Sequence, residues 1–216
     1  MKKFKLGFMV GRFQMLHKGH ESLINEGLEL CERFVILLGN SEESRTKNNP
    51  FTFEERKEMI ETIFGDKVEV YPIISIGIGY IPAWGNYIMN TIKFYCGAYP
   101  DFVLRGSDDG RSDWIDKTKY DNLTEYIISR KLIKVSATEV REKLLEWYQG
   151  QPTKKQNTMN FLNTEGLPRD SLIQISGISS YDKTRAYLAE VYLKENLSDK
   201  YTKEQLEKYS EILKFI

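Results

Sequence analysis

The two histidines of the chain, His17 and His20, stand three positions apart in GRFQMLHKGHESLI (residues 11–24), flanked by Gly11 and Gly19 at the mouth of a helical pattern. Imidazoles at that spacing have three readings: a metal site, a phosphate site, or coincidence. A zinc site needs three or four protein ligands, and the sequence offers no further histidine and no paired cysteines to complete one. The phosphate reading draws on the backbone as well as the imidazoles. Gly11 and Gly19 let main-chain amides approach a ligand closely, and a helix beginning near His20 presents unpaired N–H groups and the positive end of its dipole. The plainest alternative makes His17 a loop residue and His20 a helix-start residue with no further task. The stretch is not a Walker loop, because GxxxxGK followed by Ser or Thr is absent, and GIGYIP (77–82) is not a dinucleotide fingerprint.

A second motif, IKVSATEVREKL (133–144), opens a helix directly after an apolar strand pattern. Ser136 and Glu139 form a capping box that needs no ligand. Thr138 and Arg141, however, lie one turn apart on the same helix face and offer a hydroxyl and a planar guanidinium beside another helix N-terminus. Two such anion sockets converging on one crevice suit a polyphosphate.

The elements that must position these groups follow from hydrophobic period. KLGFMV (5–10) and FVILLG (34–39) are short apolar runs bounded by glycine, as expected of buried parallel strands. Between them a helix buries Leu23, Ile24, Leu28 and Cys31. The alternation continues with a helix over 53–64 that turns Ile60, Ile63 and Phe64 inward and is opened by a Thr52/Glu55 capping box. Strand KVEVYPI, a helix over 84–95, strand FVL, an irregular acidic stretch, strand LIKV and a helix over 137–148 complete the series. Strands alternating with helices predict an α/β fold with a doubly wound parallel sheet, whose ligands sit at the carboxyl ends of the strands where the winding reverses. The polar, proline-containing QPTKKQNT (151–158) marks a linker. The expected organisation is a principal domain over 1–150 and a small, mainly helical extension over 151–216, with helices over 184–195 and 202–216 that serve packing or homo-oligomerisation.

Composition bounds the partners. At 216 residues and 41% hydrophobic content the chain builds a sizeable core without staples. Thirty-one basic side chains balance thirty-one acidic ones, so no global field draws the protein to nucleic acid or to an anionic membrane surface. Its longest apolar run, FVILL, falls far short of the roughly 20 residues needed to span a bilayer. Cys31 and Cys96 form no CxxC pair and no disulfide framework, which predicts a cytoplasmic protein.

GRFQ followed by HKGH, and later SATEVR, resemble the HxGH and S-x-T-x-x-R signatures of the nucleotidyltransferase superfamily of adenylyl- and cytidylyltransferases. GNSEESRTKNNPFTFEERKEMI resembles the NPFT-x-x-ER segment of the archaeal-type nicotinamide-mononucleotide (NMN) adenylyltransferases, and IPAWGNYI is similar to their tryptophan-bearing helix start. The likeness runs in the family's motif order over residues 5–148.

That resemblance implies a Rossmann-like nucleotidyltransferase fold and a reaction in which the phosphate of NMN attacks the α-phosphorus of ATP, releasing pyrophosphate and forming NAD. The nucleophile is already ionised, so catalysis reduces to in-line positioning and to neutralising phosphate charge. Carried over by motif, His17 and His20 would stabilise the transferring centre and Arg141 the leaving pyrophosphate. Gly11, Arg12, Phe13, Gly19, Ser136 and Thr138 would bind ATP, which Mg2+ accompanies without a metal site built from side chains. Trp84 would stack on the cationic pyridinium ring, a favourable match for an electron-rich indole face; its bland alternative is a core residue. Arg45, Lys47 and Asn48 would lie near the acceptor's phosphate, with Arg105 also on the acceptor side, whereas Arg56 reads as structural. Position 15 is methionine where the family usually has proline, a change expected to act on loop rigidity alone. VLRGSDD (103–109) departs from the family's usual serine-glycine-asparagine, leaving nicotinate mononucleotide, phosphopantetheine or another phosphorylated acceptor open. Asp108, Asp109 and Asp113 there are either a reading cluster or a solvated acidic loop. A non-catalytic nucleotide sensor is the alternative of a different class.

Overall fold

The computed structural model describes residues 2–46, 48–107, 114–129, 138, 139, 142 and 197–213. The chain divides into two compact units, Met1–Ala137 and Thr138–Ile216. In the first, strands β1 (Phe4–Gly11), β2 (Cys31–Leu38), β3 (Val68–Pro72), β4 (Phe102–Gly106) and β5 (Thr124–Ile128) form a five-stranded sheet in the order β3-β2-β1-β4-β5. Every pairing is parallel. The winding leaves β1 in one direction through β2 and β3 and resumes on its other side at β4, so the reversal point lies between β1 and β4.

Helices α1 (Lys18–Leu30) and α2 (Phe53–Phe64) follow β1 and β2, and α3 (Pro82–Cys96) follows β3. Side chains alternate along each central strand. Leu6, Phe8 and Val10 of β1 join Val35 and Leu37 of β2, Val103 of β4, Ile88, Met89 and Ile92 of α3, and Trp114 in one buried cluster. The intervening residues face the other layer, where α1 packs on β1, β2 and β4 and α2 on β2 and β3. Gly27 permits that approach: a Cβ there would lie 2.3 Å from the Phe34 ring.

The predicted helix over 53–64 has those bounds, with the expected Thr52/Glu55 capping box and buried Ile60, Ile63 and Phe64. Four boundaries differ from expectation. Helix α1 begins at Lys18 with His17 as its N-cap, before the expected start near His20, because the imidazole itself supplies the cap acceptor. Cys31, read as a helix residue, opens β2 and is buried there, while Leu28 is only half-buried. Helix α3 starts at Pro82, before residue 84, in keeping with proline's fixed φ and missing N–H at the first helical position. The stretch expected to be irregular contains β5, whose apolar run is only Tyr126, Ile127 and Ile128 and none of whose residues is buried. The predicted strand LIKV, the linker and the helix over 184–195 lie outside the described residues.

In the second unit Thr138, Glu139 and Glu142 are helical. Helix α4 (Lys203–Ile212) is opened by the predicted capping box of Thr202 and Gln205 and buries Tyr209 and Ile212. Among the described residues no helix is long and apolar enough to cross a membrane.

Candidate functional site

The carboxyl ends of β1, β2 and β3 are level, as the pairs Gly11 with Leu38 and Leu38 with Pro72 show. The chain continues from them in register, with Gly39 N–H donating to Gly11 O (2.9 Å) and Ile73 N–H to Leu38 O (3.0 Å). Over this edge opens a cavity of about 490 Å³, within the range that holds small-molecule ligands. Val10, Gly11 and Arg12 form one wall, Gly39 and Asn40 the next, and Ile73 to Tyr80 with Trp84 the remainder.

The loop from β1 to α1 is buried although it is irregular. Phe13, Gln14, Met15, Leu16 and His17 are each at most 2% exposed. Phe13 and Met15 adopt positive φ angles, 47° and 127°. The expectation that methionine in place of proline alters only rigidity therefore fails: a pyrrolidine ring locks φ near −65° and cannot adopt the Met15 backbone. Gln14 ties this loop to the segment before α2, accepting from Phe51 N–H (3.0 Å) and donating to Phe51 O (3.2 Å).

The imidazoles stack where α1 begins. His17 and His20 have ring centroids 3.8 Å apart, and Phe13 covers the other side of His20 at 4.3 Å. His17 Nδ1 accepts from His20 N–H (3.4 Å), which commits that nitrogen to the cap and, in the neutral ring, puts the proton on Nε2. Gly19 occupies the first turn of α1, where N–H groups lack intrahelical acceptors.

Trp84 stands in the first turn of α3, half-buried, with its edge contacts to Tyr80 (5.1 Å) and Trp114 (4.8 Å). Gly85 beside it allows the helix to close on the Trp114 carbonyl. Of the residues expected from sequence, Gly11, Arg12 and Trp84 thus share one cavity. Phe13, His17, Gly19 and His20 adjoin it in the chain without lining it.

The charged acceptor-side residues have partners within the fold. Arg45 donates to both Glu55 oxygens (2.8 and 2.6 Å) and to Pro50 O (3.1 Å), and Glu55 raises its pKa. Arg105, at the end of β4, pairs with Glu125 of β5 at 3.0 Å. Asn48 and Thr138 are exposed. Lys47, Asp108, Asp109, Asp113, Ser136 and Arg141 lie outside the described residues.

Two features escaped the sequence reading. One is the loop Ile73–Tyr80, dismissed as no dinucleotide fingerprint, which forms much of the cavity wall; its position after a parallel strand was the available signal. Glycine serves its turns at Gly77 and Gly79, where φ is 69° and 72°. The other is the partner set of Arg56, which is wholly buried and bonded to the main chain at the ends of both β1 and β2. The structural reading of Arg56 holds, while the sequence carried no sign of which carbonyls it would join.

The sequence profile of the cytidylyltransferase-like family matches residues 8–143. A nicotinamide-nucleotide adenylyltransferase of Saccharolobus solfataricus is 38% identical over 95 residues, 41% of this chain and 54% of that protein. One from Methanococcus maripaludis is 28% identical over 141 residues, 64% of this chain and 77% of that protein. Among solved structures, a bifunctional NMN adenylyltransferase/ADP ribose pyrophosphatase from Francisella tularensis, complexed with AMP and a manganese ion, shares the fold. It superposes with a TM-score of 0.54 at 19% identity, covering 88% of this chain and 56% of that one.

Proposed function

The chain belongs to the cytidylyltransferase-like family, and from that premise we propose that it is an ATP:NMN adenylyltransferase. An oxygen of the NMN phosphate forms a bond to the α-phosphorus of ATP, the bond from that phosphorus to the bridging oxygen breaks, and NAD and pyrophosphate leave. The substrate nucleotide carries Mg2+, which offsets phosphate charge; the chain's own groups supply orientation and further positive potential. The observation that carries this reading is the cavity at the strand ends, with Arg12 and Trp84 in its walls and the histidine-bearing helix start next in the chain.

Each residue then has a task. Amides around Gly11 and Gly19, with Arg12 and the Phe13 main chain, would hold the phosphates. His20, and His17 through Nε2 alone, would donate to the oxygens around the α-phosphorus, where charge builds as the bonds exchange. Thr138, Ser136 and Arg141 would receive the pyrophosphate. Trp84 offers an indole face to the pyridinium ring, and Tyr80 holds the indole edge-on. Arg45, Asn48 and Arg105 stand for the acceptor side, the two arginines on condition that a phosphate displaces Glu55 and Glu125 from them. Free thiols at Cys31 and Cys96 agree with a reducing cytoplasm.

The test is direct: purified protein with ATP, Mg2+ and NMN is expected to form NAD and pyrophosphate in equal amounts. No NAD, while an authentic enzyme works alongside, would reject the reading. Pyrophosphate release with nicotinate mononucleotide or phosphopantetheine instead would keep the transfer and move the acceptor, the outcome that the Arg105 departure makes worth including.

A further inference from the structure

We propose that Arg56 is a positioning residue, a buried guanidinium that shapes the anion-binding side of the nucleotide cavity by fixing the main chain where β1 and β2 end. The inference rests on the nucleotidyl-transfer reading above and assigns a task to the NPFT-x-x-ER segment that the reaction itself left without one.

Arg56 has 0% exposure. Its Nη1 donates to Arg12 O (2.7 Å) and Gly39 O (2.8 Å), its Nη2 to Asn40 O (3.1 Å) and its Nε to Thr52 O (3.1 Å). The first three acceptors belong to cavity-lining residues on two different strand ends. In a trans peptide the C=O and the following N–H point in opposite directions. Carbonyls of Arg12 and Gly39 drawn to Arg56 therefore set the N–H groups of Phe13 and Asn40 facing away from it, and they remove electronegative oxygens from the wall where phosphate would sit. The guanidinium also places a cation behind that wall. Burial pushes its pKa down to about 10, opposed by Glu42 and Glu54, so it remains charged at neutral pH.

A purely space-filling role fits these facts poorly. Among the described residues no carboxylate is bonded to it, and burying a cation so is costly where an apolar side chain would fill the same volume more cheaply. What arginine adds is a rigid fork of five N–H donors, and here that fork joins three chain segments at once. The joined backbone is strained: Phe13, Met15 and Asn40 have φ of 47°, 127° and 50°. Such conformations persist where the surroundings over-determine them. Gln14, paired in both directions with the Phe51 main chain, is the second brace from the same segment.

The test compares wild type with Arg56→Lys, which keeps the charge but loses the planar fork. Binding of ATP with Mg2+, of inorganic tripolyphosphate and of adenosine is measured by calorimetry on the full chain, together with thermal unfolding. The expected pattern is a loss of ATP and tripolyphosphate affinity of about tenfold or more. Adenosine affinity should hold within about twofold. In the transfer assay kcat/KM should fall by about a hundredfold. Equal weakening of ATP and adenosine, or no change in either, would overturn the proposal and leave Arg56 as a fold residue. Should the lysine variant not fold, Gln14→Met removes the second brace alone; the same phosphate-selective loss is expected, and unchanged ATP affinity overturns the account. Wild-type protein that binds ATP but forms no NAD would reject the NMN reading only, since the Arg56 pattern is read from binding. Wild type binding neither ATP nor tripolyphosphate would overturn both.

Discussion

His17 and His20 are alike in sequence and unequal in structure. His17 is 2% exposed, caps α1 through Nδ1 and is stacked on its neighbour, so it serves the fold before it can serve a ligand. His20 sits between the Phe13 and His17 rings with partial exposure. The two alanine variants should therefore separate. His20→Ala is expected to fold normally and to lose roughly 10²- to 10³-fold in kcat, the usual effect of removing one donor aimed at developing charge. His17→Ala should lose activity and also about 1 kcal/mol of stability from the missing cap. Pyrophosphate release and urea denaturation on both proteins check the contrast; equal stability losses would make both imidazoles structural. The pairing of these two residues was legible from spacing. Their division of labour was not, because which nitrogen faces the backbone depends on where the helix starts, and the sequence left that uncertain by two residues or so.

Among the elements, α3 carries the cavity's indole and is seated by a single glycine. A Cβ on Gly85 would lie 1.9 Å from the Trp114 carbonyl oxygen, a backbone atom that cannot swing aside. Gly85→Ala is expected to destabilise the protein by about 1–3 kcal/mol, the range for overpacked sites. It should also weaken acceptor binding through the displaced Trp84, measurable as a raised KM for NMN against a smaller change for ATP. Strand β2 supplies a second prediction. Burial pushes the Cys31 thiol up to about 11 from 9.0, and its S–H lies within reach of the Gly27 and Arg33 carbonyls. A thiol that holds its proton more tightly when folded contributes stability that is complete below pH 9 and is lost as pH rises through about 11. At pH 8 Cys31 should resist a thiol reagent until the protein unfolds, while half-buried Cys96 reacts sooner; peptide mapping after timed labelling distinguishes them. Element identity was largely readable, since β1, β2, β3, α1 and α2 announce themselves by period. Strand β5 was not, because its apolar run is three residues long, none of its side chains is buried, and its pairing with β4 is held by backbone hydrogen bonds that leave no mark on the sequence.

For the whole molecule, balanced charge makes capture of an anion a local matter. Saturating ATP with Mg2+, at about a hundred times its dissociation constant, should stabilise the folded protein by about 2.7 kcal/mol. Thermal unfolding should register that as a rise of several degrees, whereas duplex DNA at equal phosphate concentration should produce none. A matching shift with DNA would mean that a basic surface, rather than the strand-end cavity, holds the phosphates. The sequence by itself determined the α/β alternation, the parallel sheet and the order of the phosphate motifs, because hydrophobic period, glycine placement and capping residues are local properties of the chain. Only the tertiary structure decided that Arg12 and Trp84 share one cavity, that Ile73–Tyr80 walls it, and that Arg45, Arg56 and Arg105 hold quite different partners. An arginine's partner is fixed by which strand ends meet around it, and chain segments that lie far apart in sequence meet only once the sheet is wound.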